Sequence, residues 1–369
     1  MTSKADAYGS LANRGMIRRI LLVLLFAANS LPAIADTLIV LNKAEATASL
    51  IDLSSNQVAA TVATGIGPHE VSVSRDGKTA VVCNYGTREA PGSTLTVIDI
   101  PTATVRKTIE LQPYARPHGI QWLDAKRCIV TAEANQAVAI VDVERGTVTQ
   151  SIPTGQDISH MVATSADGKR AYVASIGSGT VTVLDLESGK KMVSVPTGKG
   201  SEGIDILPDG KEVWITNREA DTISVLDTST LNVTATLESK SFPIRARATR
   251  DGRFVLISNA RSGDIAVFDV TTKKEIRRIR IPLESSSSEG RLFGDQFGNS
   301  SVPIGILTHP NGKLAFVAHA NADVITILDL DEWKIAGSLK AGKEPDGLGY
   351  SGLSVSAATT QGSSDKSHR

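Results

Sequence analysis

The chain has 369 residues, of which 41% are hydrophobic, 21% charged and 4% aromatic. Basic and acidic side chains cancel at 39 each, which excludes the basic field that draws a protein onto nucleic acid. So few aromatics also exclude a stacking platform for single strands, and the apolar share is ample for a large core.

In chain order, the first signal is basic and then apolar. Met16, Ile17, Arg18 and Arg19 precede an apolar run from Ile20 to Ala28. That run is shorter than the ~20 residues a membrane span needs. Ala33, Ile34 and Ala35 then supply the small-x-small pattern of a signal-peptidase site. Residues 1–35 are therefore expected to be a signal peptide, with Met16 as an alternative start and cleavage before Asp36. The mature chain is expected in the periplasm or secreted, with no transmembrane span. A retained anchor helix is the competing reading of the same residues.

Beyond Asp36 the sequence repeats. The segment Thr180 to Asp185 recurs, and its aspartates are Asp52, Asp99, Asp142, Asp185, Asp227, Asp269 and Asp329. They are spaced by 47, 43, 43, 42, 42 and 60 residues. One repeat shows the pattern of all. His160 to Thr164 is a strand, Asp167, Gly168 and Lys169 turn, and Ala171 to Ser175 is a second strand. Thr180 to Leu184 is a third, and a turn from Asp185 to Gly189 leads into Lys191 to Val195. Alternating β-branched residues with Asp-Gly turns are hairpin signals. A four-stranded unit repeated at this period is a propeller blade.

The fold class is thus all-β, a seven-bladed β-propeller over residues 36–352. The mature chain opens on a second strand, Leu38 to Asn42, and Asp346 to Ser351 supplies only a first strand. The two ends are expected to share one blade and close the ring, leaving no open edge. Residues 353–369 are rich in Ser, Thr and Gly and are expected to be a disordered tail. Two insertions interrupt the period. Residues 84–92 lengthen a connection between second and third strands. Residues 283–302 carry Arg291, Phe293, Asp295 and Phe297, and their length suits either a lid or a loose surface loop. Cys83 and Cys128 fall at different heights on neighbouring blades and are expected to be buried thiols rather than a bridge.

Val213 to Asn217, Ala171 to Ser175 and Phe316 to His319 resemble the Tyr-Val-Thr-Asn motif of the YVTN-repeat β-propeller family, exported bacterial seven-bladed propeller proteins. The resemblance covers Asp36 to about Gly352. It implies the fold and export, and it leaves the function open.

Function is sought where the copies differ. The position at the start of each first strand reads His69, His118, His160, Glu202, Ile244, Ile304 and Asp346 around the ring. Inner strands of a propeller line the central channel, so these residues gather at one mouth. His69, His118, His160 and Glu202 are candidate metal ligands, suited to Zn, Cu, Fe or Mn. The competing readings are a polar pocket for an organic ligand and ordinary structural histidines. Asp346 and Glu70 are candidate general bases. Arg245 is a candidate anion-binding residue, or it pairs with Glu70, Asp205 or another carboxylate. His319 is a candidate ligand-binding residue on the same face, where Asn217 and Asn259 stand in other blades. Asn42, Asn84, Asn217 and Asn259 are expected to bond their own turns, and the repeated aspartates to cap the turn that follows them.

No Gly-x-Ser-x-Gly elbow, Walker loop, dinucleotide fingerprint or Cys-x-x-Cys-His haem motif is present, so neither covalent haem nor a dinucleotide is expected. Three readings remain. The favoured one is a monomeric periplasmic binding or interaction protein for a small ligand or a cell-envelope partner. The others are a metal-dependent enzyme, oxidoreductase or hydrolase, and an architectural cell-envelope protein.

Overall fold

The second and third strands of each repeat are mostly apolar and buried on both faces, with small hydroxyl residues such as Ser49, Thr182 and Ser224 taken into the core. The computed structural model describes residues 36–285, 290, 291 and 293–356. The expected signal peptide and residues 357–369 lie outside the described residues. Seven four-stranded antiparallel sheets follow one another as blades. Blade 1 comprises Pro345–Ser351, Thr37–Asn42, Thr47–Asp52 and Gln57–Ala63. Blades 2 to 7 occupy residues 68–110, 117–153, 159–196, 201–238, 243–280 and 303–340. No helix among the described residues is long and apolar enough to cross a membrane.

The turns carry the repeat. Asp185 Oδ1 accepts the backbone N–H groups of Glu187 and Ser188 at 2.9 and 2.8 Å. Its equivalents do the same in the other blades, from Asp52 with Ser54 to Asp329 with Asp331. Gly168, at φ 69°, makes the hairpin turn between first and second strands, where an L side chain would be strained.

Blades pack face to face. Val81, Cys83, Leu95 and Val97 of blade 2 interlock with Cys128, Val130, Ala139 and Val141 of blade 3. Both cysteines are buried there and unbridged. Trp214 of blade 5 is fully buried against Phe268 of blade 6, with ring centres 6.2 Å apart. The fourth strands form the rim and are mostly exposed. They carry charges such as Lys274, Arg277 and Arg280, which blunt the outer edge.

Closure takes the expected form. Thr37 to Val40 pair antiparallel with Ser351 to Leu348, so the two ends of the chain share blade 1. Of the segment expected to be tail, the first residues run along the ring. Thr37 Oγ1 donates to the Leu353 carbonyl at 2.6 Å, and Ser356 N–H to that of Pro101 at 2.7 Å. Val355 packs on the blade 1–2 core.

Candidate functional site

Every inner strand is broken in register against its neighbour at its first residues, as between Pro68 and Val71 or Pro117 and Ile120. A bulge leaves a residue unpaired and re-aims its side chain. That residue is the one at the repeat position of His69. The blades come close at this point. A Cβ on Gly119 would lie 2.7 Å from the His160 carbonyl, so only glycine allows the approach.

The result is an axial cavity of about 400 Å³. It is lined by His69, His118, His160, Glu202, Ile244, Ile304 and Asp346 from the first strands. A second ring also reaches it, at or just past the end of the second strands: Tyr85 within Thr79–Gly86, and Glu133, Ile176 and Arg218 one residue beyond theirs. These four stand outside the first-strand column and one residue beyond the Asn/His column of the second strands, so neither pattern in the sequence points to them. The signal was present in the column Lys43, Tyr85, Glu133, Ile176, Arg218, Ala260 and Ala320.

Three imidazoles form a row. The rings of His69 and His118 are 5.0 Å apart, and those of His118 and His160 are 3.6 Å apart. His69 Nδ1 lies 2.8 Å from the Gly67 carbonyl, which makes it the donor and leaves Nε2 as the lone-pair nitrogen. His160 Nδ1 is 2.5 Å from Glu133 Oε1, and Tyr85 Oη donates to Glu133 Oε2 at 2.5 Å. His118 Nδ1 and His160 Nε2 are buried without a hydrogen-bond partner among the described residues. Glu202 Oε1 stands 3.4 Å from His160 Nε2, outside hydrogen-bond geometry.

Electrostatics separates the three. Burial, and then the Lys43 charge, lowers the His69 pKa to about 3. Burial and the neighbouring imidazoles hold His118 well below its usual value. Burial also pulls on His160, but the hydrogen bond and charge of Glu133, with the nearby Glu202 carboxylate, reverse it and raise its pKa. Two neutral imidazoles therefore stand beside one that is readily protonated.

The cavity floor is a network of buried charges. Arg245 reaches Glu70 at 2.8 Å, Glu202 at 3.2 Å and Asp346 at 4.0 Å. Lys43 reaches Glu344 at 3.0 Å and Asp346 at 3.4 Å. Arg218 takes the other Glu202 oxygen at 2.6 Å. Burial opposes ionisation of Glu202, but Arg218, His160 and Arg245 bring its pKa down to about 2. Glu70 goes the other way, because burial outweighs Arg245 and raises it. The two general-base candidates are thus both engaged, Glu70 by Arg245 and Asp346 by Lys43. Arg245 itself pairs with carboxylates and not with Asp205, which holds Arg247 at 3.6 Å.

The donor set with mutual approach within 4.8 Å is His118, Glu133 and His160. Of the four expected ligands, His118 and His160 belong to it, His69 stands beside it, and Glu202 is committed to two arginines. Glu133 either joins the donors or fixes the tautomer of His160 from behind. The chemistry of these donors, with two buried imidazole nitrogens lacking partners, fits a divalent metal.

His319 does not line the cavity. It is fully buried in blade 7, with Nδ1 2.9 Å from Ser301 Oγ. The asparagines of its column correct the turn reading. Asn84 Oδ1 accepts the Gly65 N–H at 3.0 Å and Asn42 Oδ1 that of Gly342 at 2.9 Å. They tie down the connection arriving from the preceding blade, because the chain passes there as a buried loop whose N–H needs an acceptor. The described residues of the 283–302 insert dock on blades 6 and 7. Phe293 and Phe297 pack on Phe242. Arg291 binds Asp323 at 2.7 Å and also the Ala320 carbonyl.

The family described as YNCE-like beta-propeller matches residues 115–290, which contain blades 3 to 6. That match and the seven-bladed ring are consistent with a propeller of the YVTN type. No curated protein sequence matches the chain. Solved structures share the propeller fold of this chain at low identity. Hydrazine synthase of Kuenenia stuttgartiensis is 20% identical with a TM-score of 0.64, covering 76% of this chain and 88% of that one. A functionally unknown protein of Desulfotomaculum acetoxidans is 13% identical with a TM-score of 0.71, over 85% and 98%. The periplasmic gluconolactonase PpgL of Pseudomonas aeruginosa is 16% identical with a TM-score of 0.67, over 86% and 99%. At such identities the likeness concerns the fold alone.

Proposed function

We propose that this protein is a binding protein of the cell envelope, exported to the periplasm or beyond, whose axial cavity holds a divalent transition metal. One observation carries the reading. His118 Nδ1 and His160 Nε2 are buried without a hydrogen-bond partner among the described residues, in a cluster where His118, His160 and Glu133 offer donors within 4.8 Å; His160 Nε2 has the Glu202 carboxylate near it, at 3.4 Å. A buried polar atom left unpaired is costly, and a ligand removes that cost. Two or three imidazoles with one carboxylate suit Zn, Cu, Fe or Mn. When bound, the ion supplies a Lewis-acid centre for a polar ligand. The chain's own residues do the rest. Glu133 orients His160, Gly67 orients His69, and Arg218 and Arg245 hold Glu202 ionised beside them.

A metal-dependent enzyme, oxidoreductase or hydrolase, is the second reading. It is favoured by the row Tyr85, Glu133 and His160, joined by two hydrogen bonds of 2.5 Å. Such a row can pass a proton between the cavity and its wall. In that reading Glu133 replaces Glu70 and Asp346 as the acid/base group.

The test is elemental analysis of the chain purified without chelator, beside its H69A/H118A/H160A variant. Near-stoichiometric metal in the parent and none in the variant is the expected result. No metal in either protein, with the fold intact, overturns the metal reading and leaves a scaffold or a polar-ligand site.

A further inference from the structure

The residue two places before each axial residue has positive φ in all seven blades: Gly67, Arg116, Ile158, Gly200, Phe242, Val302 and Glu344 lie between 54° and 73°. Glycine takes this conformation freely, and two blades use it. A β-branched residue there is an outlier that persists only where the surroundings enforce it. Ile158 is such a residue, and it remains 42% exposed at the cavity rim. Arg116 is its neighbour in the column. The Arg116 guanidinium lies 5.0 Å above the Tyr85 ring and donates to the Arg88 carbonyl at 2.9 Å. Among the described residues it has no carboxylate partner, whereas Arg218 and Arg245, the other cations lining the cavity, are both paired. Between and opposite these charges, Ile158, Ile176, Ile244 and Ile304 give the cavity apolar walls.

We propose that this cavity takes a small organic monoanion, its carboxylate on Arg116 at the rim and its apolar body on the four isoleucines. The proposal rests on the binding-protein reading but not on a bound ion. The cavity's 400 Å³ equals about thirteen water volumes at ~30 Å³ each, enough for a body of several carbons. Two features set the class. An unpaired cation at the entrance selects negative charge. The apolar walls reward carbon chain, at about fourfold in affinity per CH₂ for full burial. The paired arginines deeper in offer no second site for charge, so one acidic group is specified rather than two.

The test is titration calorimetry of the purified chain with butanoate, hexanoate and benzoate, and with hexanamide and benzamide as neutral counterparts. Each is measured on chelator-treated and on zinc-loaded protein. Hexanoate is expected to bind more tightly than butanoate, and hexanoate and benzoate each at least tenfold more tightly than their amides. Arg116→Gln is expected to abolish the acid-over-amide preference, and Arg116→Lys to restore part of it. Ile158→Gly relieves the positive-φ position, so it keeps the fold, and it is expected to flatten the chain-length trend. Absence of binding by all three acids overturns the proposal. So does binding that ignores Arg116→Gln; if such binding also requires zinc, the acid sits on the ion and the metal reading survives alone. Arg116-dependent binding to a protein that takes up no metal keeps this proposal and overturns the metal reading.

Discussion

Replacing Arg245 by methionine tests the charge network under the cavity. Arg245 touches three carboxylates, but its loss does not fall on them equally. Glu202 keeps Arg218 at 2.6 Å and Asp346 keeps Lys43 at 3.4 Å. Glu70 is left with no cation within ion-pair distance among the described residues. Breaking a buried pair by removing one partner costs about 3–5 kcal/mol. The side chain of Glu70 is 15% exposed, which places the expected loss near the lower figure. Adding Glu70→Gln removes the stranded charge, so the double variant should recover about 2 kcal/mol of it. The assay is urea unfolding of chelated protein through a double-mutant cycle. The pH dependence has a definite sign. Burial already raises Glu70 above its usual 4.5, and loss of Arg245 raises it further. A group raised in the folded state contributes stability that is present below its unfolded value and lost as pH rises through its folded one. The Arg245→Met penalty should therefore shrink as pH falls from 7 towards 4.5, and the double variant should not show that change. Additive losses within ~0.5 kcal/mol, or a penalty flat in pH, would refute the assignment of the cost to Glu70.

Two further outcomes follow from packing. Trp214→Ala should cost about 3–5 kcal/mol in urea unfolding, since Trp214 is fully buried and its indole N–H reaches Glu212 at 3.1 Å; a loss under ~1 kcal/mol would mean that the blade 5–6 core collapses around the gap. Phe297→Ala should speed tryptic cleavage at Arg291 with little change in the global midpoint, because the insert is held by a satellite cluster of its own. An unchanged cleavage rate would show that Arg291 and Asp323 suffice to dock it.

The sheet pattern was legible because it rests on local chemistry. The seven aspartates cap seven turns, and the contrast between apolar second and third strands and charged fourth strands fixes which strands are covered. The axial column was legible too, since His69, His118 and His160 share one repeat position. Glu133 and Tyr85 were not. Glu133 lies just beyond its second strand and Tyr85 within one that the insertion lengthens to Gly86, and there the local connection decides which side chain swings to the axis. In blade 3 that connection is a 3-10 helix from Glu133 to Asn135, and strand alternation says nothing about it. His319 misled for the complementary reason. Its column, shared with Asn42 and Asn84, sits between strands and inbound loops, so a polar residue there bonds the inbound loop, through the Gly342 and Gly65 N–H groups for the asparagines and Ser301 Oγ for His319, and does not meet the channel. The fate of Arg245 depended on which of several carboxylates lay across the axis, a distance no repeat spacing contains.

The shared blade has a consequence for how the molecule is made. Its second strand, Thr37 to Asn42, is among the first residues of the ring to be synthesised, and its partner, Pro345 to Ser351, is the last. Until that partner arrives, the strand Thr-Leu-Ile-Val-Leu-Asn is an apolar edge with unpaired backbone groups. Contacts between opposite ends of a sequence form late and slowly. Folding is thus gated by completion of the chain, and a product stopped before residue 345 keeps a sticky edge open to a second copy of itself.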